Sequence, residues 1–211
     1  MSRHTLALAI AAMLTLPGCA AISALSGEPV RDVFELRPPV DTPRTCGQGS
    51  RIELVVEPPK VSGSLDSDRI MVRPNVLQAE YLGDSRWADP LPEMVRTLLV
   101  RSLGAYDIFR YVGRDPLGMS GDVALLTEIT RFNAAISPDE AVTVELQVNA
   151  QLVEEMTTNI VARRQFNVVV PVEEADTREL MPAFDRATLQ LLTQMSDWTI
   201  SAVGGNPAAC R

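Results

Sequence analysis

The sequence predicts an α+β fold: a mainly antiparallel sheet of about six strands with two amphipathic helices packed on one of its faces. Three observations carry this expectation. Val142, Val144, Leu146, Val148, Ala150 and Leu152 alternate with Thr143, Glu145, Gln147, Asn149 and Gln151, the period-two pattern of a sheet buried on one side and wet on the other. Leu91, Met94, Val95, Leu98, Leu99 and Leu103 recur at helical spacing, and so do Phe184, Ala187, Leu191, Met195, Trp198 and Ala202. No internal repeat or low-complexity tract interrupts these patterns, so one layered domain is expected.

Taken in order, Arg51–Val56 (RIELVV) reads as a strand stopped by Pro58-Pro59, and the polar loop VSGSLDSD follows. Arg69–Arg73 (RIMVR) is a second strand and Val76–Leu82 (VLQAEYL) a third. Asp89-Pro90 marks a helix start, with Asp89 as N-cap, and Gly104 ends that helix. Asp107–Val112 reads as a strand, and the glycine-bearing segment 113–121 as a loop. A meander follows: strand 123–134, a turn at Ser137-Pro138-Asp139-Glu140, strand 142–152 and strand 160–170. In the last, Ile160, Ala162, Phe166, Val168 and Val170 face inward. Arg164 falls on the same side and requires a carboxylate partner or a place at the sheet rim. The final helix covers about Pro182–Val203, ends at Gly204-Gly205, and has Glu173, Glu174 and Asp176 before it to complement its dipole.

Composition narrows the function. The 211 residues carry Lys+Arg 19 against Asp+Glu 27, a formal net charge of -8, so the chain lacks the cationic field that nucleic acid selects. It contains one histidine, His4, in the amino-terminal segment. A Ser-His-Asp triad, a Cys-His pair and HExxH zinc chemistry therefore have no imidazole in the domain. GxxxxGK[ST], GxGxxG and CxxC patterns are absent too, which leaves no sequence basis for a nucleotide or zinc site, and no cofactor is expected. Gly118-Met119-Ser120-Gly121 imitates a nucleophile elbow only superficially, Asp66 and Asp68 are too few for a calcium loop, and Glu154 and Glu155 read as exposed strand-end carboxylates.

The amino terminus, MSRHTLALAIAAMLTLPGC, has a short positive region at Arg3 and an apolar run from Leu6 to Leu16, too short to span a bilayer. Its end, Leu16-Pro17-Gly18-Cys19, resembles a bacterial lipobox. Residues 1–18 are thus expected to be a lipoprotein signal peptide, Cys19 the acylated (palmitate-type) residue, 19–32 a tether and 33–211 the domain. Ala20 after Cys19 resembles the bacterial sorting signal for the outer membrane, which implies anchoring there on the periplasmic face. With Cys19 acylated, Cys46 and Cys210 remain as an even pair in an oxidising compartment, and a disulfide between them is preferred over two free thiols. Val76, Leu77, Tyr81, Leu82 and Trp87 admit two readings: a roof on the core beside the first helix, or a lipid- or partner-facing patch.

The central run also resembles a family. Val56–Pro59, Leu65-Asp66, Arg69–Arg73, Glu80-Tyr81 and Trp87-Ala88-Asp89-Pro90-Leu91 are similar to the ABC-type transport auxiliary lipoprotein component family, which includes the PqiC-like lipoproteins. Phe34-Glu35-Leu36 stands where that family commonly has Tyr-x-Leu. The resemblance implies a non-enzymatic lipoprotein attached to the membrane through its lipid. It also implies partners, an MCE-domain protein and ABC transporter subunits, with homo-oligomeric rings among family members and lipids or other hydrophobic molecules as cargo. The alternative is a freestanding periplasmic lipid-binding lipoprotein that holds an acyl chain between sheet and helices.

Overall fold

A computed structural model describes residues 31–39, 44–46 and 52–210. Residues 1–30, with the signal-peptide and Cys19 expectations, lie outside the described residues. The strands are β1 (Asp32–Phe34), β2 (Glu53–Val56), β3 (Lys60–Val61), β4 (Arg69–Asn75), β5 (Gln78–Trp87), β6 (Tyr111–Gly113), β7 (Val123–Ile136), β8 (Val142–Glu154) and β9 (Asn159–Val172). The helices are α1 (Leu91–Gly104) and α2 (Thr177–Ala202), followed by a 3-10 turn at Pro207–Ala209.

The architecture is α+β as expected, but among the described residues the sheet is mixed and has nine strands. β7 is its spine. One edge of β7 pairs antiparallel with β8 along almost its whole length, and β8 pairs antiparallel with β9. The other edge receives three short strands one after another, all parallel: β2 at Val123–Leu125, β3 at Glu128–Ile129 and β4 at Asn133–Ala135. Pro58 and Pro59 cannot donate to a ladder, so they divide β2 from β3 while the chain keeps following β7; the amide of Glu57 still reaches the carbonyl of Leu125. β6 extends the sheet beyond β2, and β5 and then β1 extend it beyond β4.

The alternation in β8 is realised: Val142, Val144, Leu146, Val148, Ala150 and Leu152 are all buried. They face α2, which packs along β8 and β9, while α1 packs against β2, β6 and α2. α2 doubles back along the sheet, its Phe184 stacked on Phe132 and its Trp198 edge-on to Phe166. Asp176 caps α2 by accepting the amide of Glu179, so the helix begins at Thr177 and Pro182 lies inside it rather than at its start. At α1 the expected Asp89 cap is not used. Pro90 occupies the cap position without a side-chain bond, and the amide of Leu91 donates to the carbonyl of Ser67 instead.

Other boundaries shift for identifiable reasons. The strand expected over 107–112 is confined to Tyr111–Gly113, because the carboxylate of Asp107 accepts the amide of Cys46 and residues 107–110 turn, sending Ile108 and Phe109 into the core. β5 runs past the expected end at Leu82 to Trp87, while Val76 and Leu77 belong to the turn before it. In β9 a register shift opposite Leu152/Val153 displaces the pleat, so Ile160 is 52% exposed instead of inward. Arg164 is exposed, its guanidinium 5.0 Å from the Phe166 ring centroid. Cys46 and Cys210 are joined by a disulfide that links the segment before β2 to the end of the described chain.

Candidate functional site

The interior between sheet and helices is filled, and an open hollow of about 440 Å³ lies toward the β1 edge, where Phe34, Leu36, Trp87, Met181 and Asp185 help to line it. Trp87 lies edge-on to Phe132 and Phe184 at centroid separations of 6.0 and 5.3 Å, and it is 1% exposed. Leu54, Ile70, Leu91, Leu99 and Leu125 complete a continuous apolar interior around this trio. The place an acyl chain would need between the layers is therefore taken by side chains, close-packed as interiors are.

That packing divides the five residues of the expected patch. Trp87 is core. Tyr81 and Leu82 are half-buried; the Tyr81 hydroxyl donates to the carbonyl of Ser64 at 2.9 Å, and the Arg69 guanidinium sits 3.8 Å over its ring. Val76 and Leu77 alone project outward, 86% and 94% exposed at the tip of the β4–β5 hairpin. The tip is held in shape by Asn75, whose Oδ1 accepts the amides of Leu77 and Gln78, both at 3.0 Å, and whose Nδ2 donates to Gln78 Oε1 at 3.0 Å. Beside it, Arg73, Pro74, Val76, Arg131, Ser137 and Glu145 help to line a hollow of about 600 Å³. In the neighbouring turn, Ser137 bonds to the exposed Asp139 carboxylate and holds its pKa below the usual carboxylate value.

The sheet face turned away from the helices is polar and cross-bonded. Asn149 donates to Glu128 at 3.1 Å and Gln165 donates to Asn149 at 3.0 Å, an amide ladder crossing β7, β8 and β9. Thr130, at the bulge in β7, bonds to Gln147, and Arg131 pairs with Glu145 at 2.8 Å. Another hollow of about 770 Å³ opens on this face and includes Val55, Pro58, Lys60, Leu126, Glu128 and Glu155 in its lining.

Several other acids are engaged by the fold. Glu53 is buried, pairs with Arg110 at 2.7 Å and accepts the amide of Leu117, pinning the 114–121 loop. Glu155 also departs from the sequence expectation: it is half-buried and accepts the amide of Gly121 at 2.8 Å. Asp68 pairs with Arg86, and Asp185 of α2 pairs with Arg37 after β1. Among the described residues no cluster of three or more His, Cys, Asp or Glu is placed to hold a metal ion. Glu53 and Glu155 could not be picked out from sequence, since their partners are backbone amides and an arginine far along the chain.

Fold and surface together define an α+β domain with a packed core, a polar sheet face and apolar side chains exposed at the β4–β5 tip. The chain belongs to the ABC-type transport auxiliary lipoprotein component family, whose model matches residues 34–196. An uncharacterized protein of Bradyrhizobium diazoefficiens is 26% identical over 181 residues, 84% of this chain; the chain spans only 47% of that relative's length. A crystal structure of a Xanthomonas campestris protein of the DUF330 family superposes with a TM-score of 0.72 at 24% identity, covering 81% of this chain and 96% of the other. Another solved uncharacterized protein gives 0.58 at 18% identity, over 81% of this chain and 99% of its own. Both likenesses establish the fold.

Proposed function

We propose that this protein is a non-enzymatic adaptor: a periplasmic lipoprotein, acylated at Cys19 and anchored in the outer membrane. In this reading it serves an ABC-type system that contains an MCE-domain protein and moves lipids or other hydrophobic molecules between membranes. Membership of the auxiliary lipoprotein family over residues 34–196 is the observation that carries it. The packed interior supports an adaptor over a freestanding carrier, because the core has side chains where a bound acyl chain would sit. Assembly into a homo-oligomeric ring belongs to the same proposal.

The test is affinity capture of the tagged, full-length protein from detergent-solubilised envelopes, followed by mass spectrometry. Recovery of an MCE-domain protein with ABC subunits is the expected result. Recovery of the bait alone, with lipid in its extract, would overturn the adaptor reading in favour of the freestanding lipid binder.

A further inference from the structure

Most β-turn tips are polar, because their backbone groups and side chains face water. The β4–β5 tip departs from this with two adjacent apolar side chains, Val76 and Leu77, almost wholly exposed. Its backbone is already satisfied from within: Asn75 Oδ1 takes the amides of Leu77 and Gln78. A turn whose amides are bonded internally loses less on leaving water than one that relies on solvent.

The described chain also begins in a direction that matters. β1 runs parallel to β5, with Asp32 opposite Ser85 and Phe34 opposite Trp87. Continued backward from Asp32, that direction leads along β5 toward Gln78 and the tip. At roughly 3.4 Å per residue the tip stands on the order of 25–30 Å beyond Ser85. The eleven residues between Cys19 and Arg31 allow a separation of at most about 40 Å when extended. A lipid on Cys19 and the hairpin tip can therefore meet one bilayer at the same time.

We infer that the Val76-Leu77 tip is a second membrane contact, inserting into the headgroup boundary of the bilayer that holds the acylated Cys19. The inference rests on the acylation proposed above. Arg73, at the hollow beside Val76, has no ion-pair partner among the described residues and is placed to meet a lipid phosphate. Glu80, Asp139 and Glu140 are exposed near the same end, so the contact is apolar in character and favours zwitterionic over anionic lipid. Another exposed apolar group, Leu117, Met119 and Met156, lies at the opposite end of β7, by the β8–β9 turn, away from the start of β1.

The experiment uses the full-length protein, expressed with its leader so that it is processed and acylated in the cell, then reconstituted into phosphatidylcholine vesicles containing dibrominated phosphatidylcholine. Two variants, L77W and M119W, each place one new indole at a fully exposed position; Trp87 and Trp198 supply a common background. Bromine quenching at L77W should exceed that at M119W by about twofold or more, since indole settles at the lipid interface where it can reach it. Vesicle flotation with equal quenching in both variants would overturn the tip contact and leave the lipid anchor standing. Failure of the reconstituted protein to float would overturn the anchor and the tip contact together.

Discussion

Truncating Trp87 to Ala tests whether this residue is interior or contact surface. Its ring is 1% exposed and meets Phe132 and Phe184 edge-on at 6.0 and 5.3 Å. Removing a buried indole leaves a cavity that β5, β7 and α2 cannot all close, at a cost of about 3–5 kcal/mol. Each lost edge-to-face pair accounts for roughly 0.5–1.5 kcal/mol beyond area burial. For a domain of this size a loss of that order lowers Tm by roughly 10 °C. Urea melts of the mature protein, followed by far-UV circular dichroism, measure the change, and W87F should recover a good part of it. F184A combined with W87A should cost less than the two singly added, because both empty one aromatic cluster. An unaltered urea midpoint in W87A, together with weakened membrane or partner association, would refute the core assignment.

The Cys46–Cys210 bond closes a span of 164 residues, so replacing both cysteines with alanine should destabilise the protein by up to about 5 kcal/mol on the chain-entropy account. Intact mass should rise by two hydrogens on reduction; two cysteines that alkylate freely in the folded, unreduced protein would contradict the bond. E53A removes the acceptor for Leu117 and the partner of Arg110, and should cost about 1–3 kcal/mol while exposing the 114–121 loop to limited proteolysis. An unchanged cleavage pattern would show that Glu53 does not pin the loop. Burial raises the Tyr106 phenol above its ordinary 10.0, Arg44 opposing and Asp197 reinforcing the shift. The folded state thus holds this proton more tightly than the unfolded state. Stability is unaffected below pH 10 and falls as pH rises through the folded value. In Y106F that share of the alkaline loss should vanish, as read by urea midpoints at pH 8 and 11.

The sequence was most legible where one face decides everything. Strict alternation in β8 reports burial directly, and all six of its inward residues are buried. The apolar stripe of α1 is buried throughout, and in α2 Phe184, Ala187, Leu191 and Met195 are buried while Trp198 and Ala202 are half-buried. Alternation does not report which neighbour a strand takes, however. The parallel pairing of β2, β3 and β4 with β7 joins segments separated by loops and a helix, and no local pattern encodes it. Capping chemistry competed with proline at α2: Asp176 and Glu179 define the start, and Pro182 is accommodated one turn in. Of the expected patch, composition alone could not separate Trp87 from Leu77. One strand places its indole against α2, while the turn beside it leaves the leucine with nothing to cover it.

The role of β7 as common partner has a kinetic side. Three earlier strands lean on it, yet it is made after all of them; Glu53 and Asp122, bonded in the native state, stand 69 residues apart. Such high contact order slows folding, since long loops must close before any pairing compensates. A chain made or exported from its amino end therefore leaves one edge of the apolar segments Leu54–Val56 and Ile70–Val72 open until residues 123–136 arrive, although β5 and β6 can already pair with the other edge. The interval before β7 arrives is when aggregation and proteolysis compete with folding. Substitutions in β7 should accordingly lower the yield of folded protein more than their effect on equilibrium stability implies.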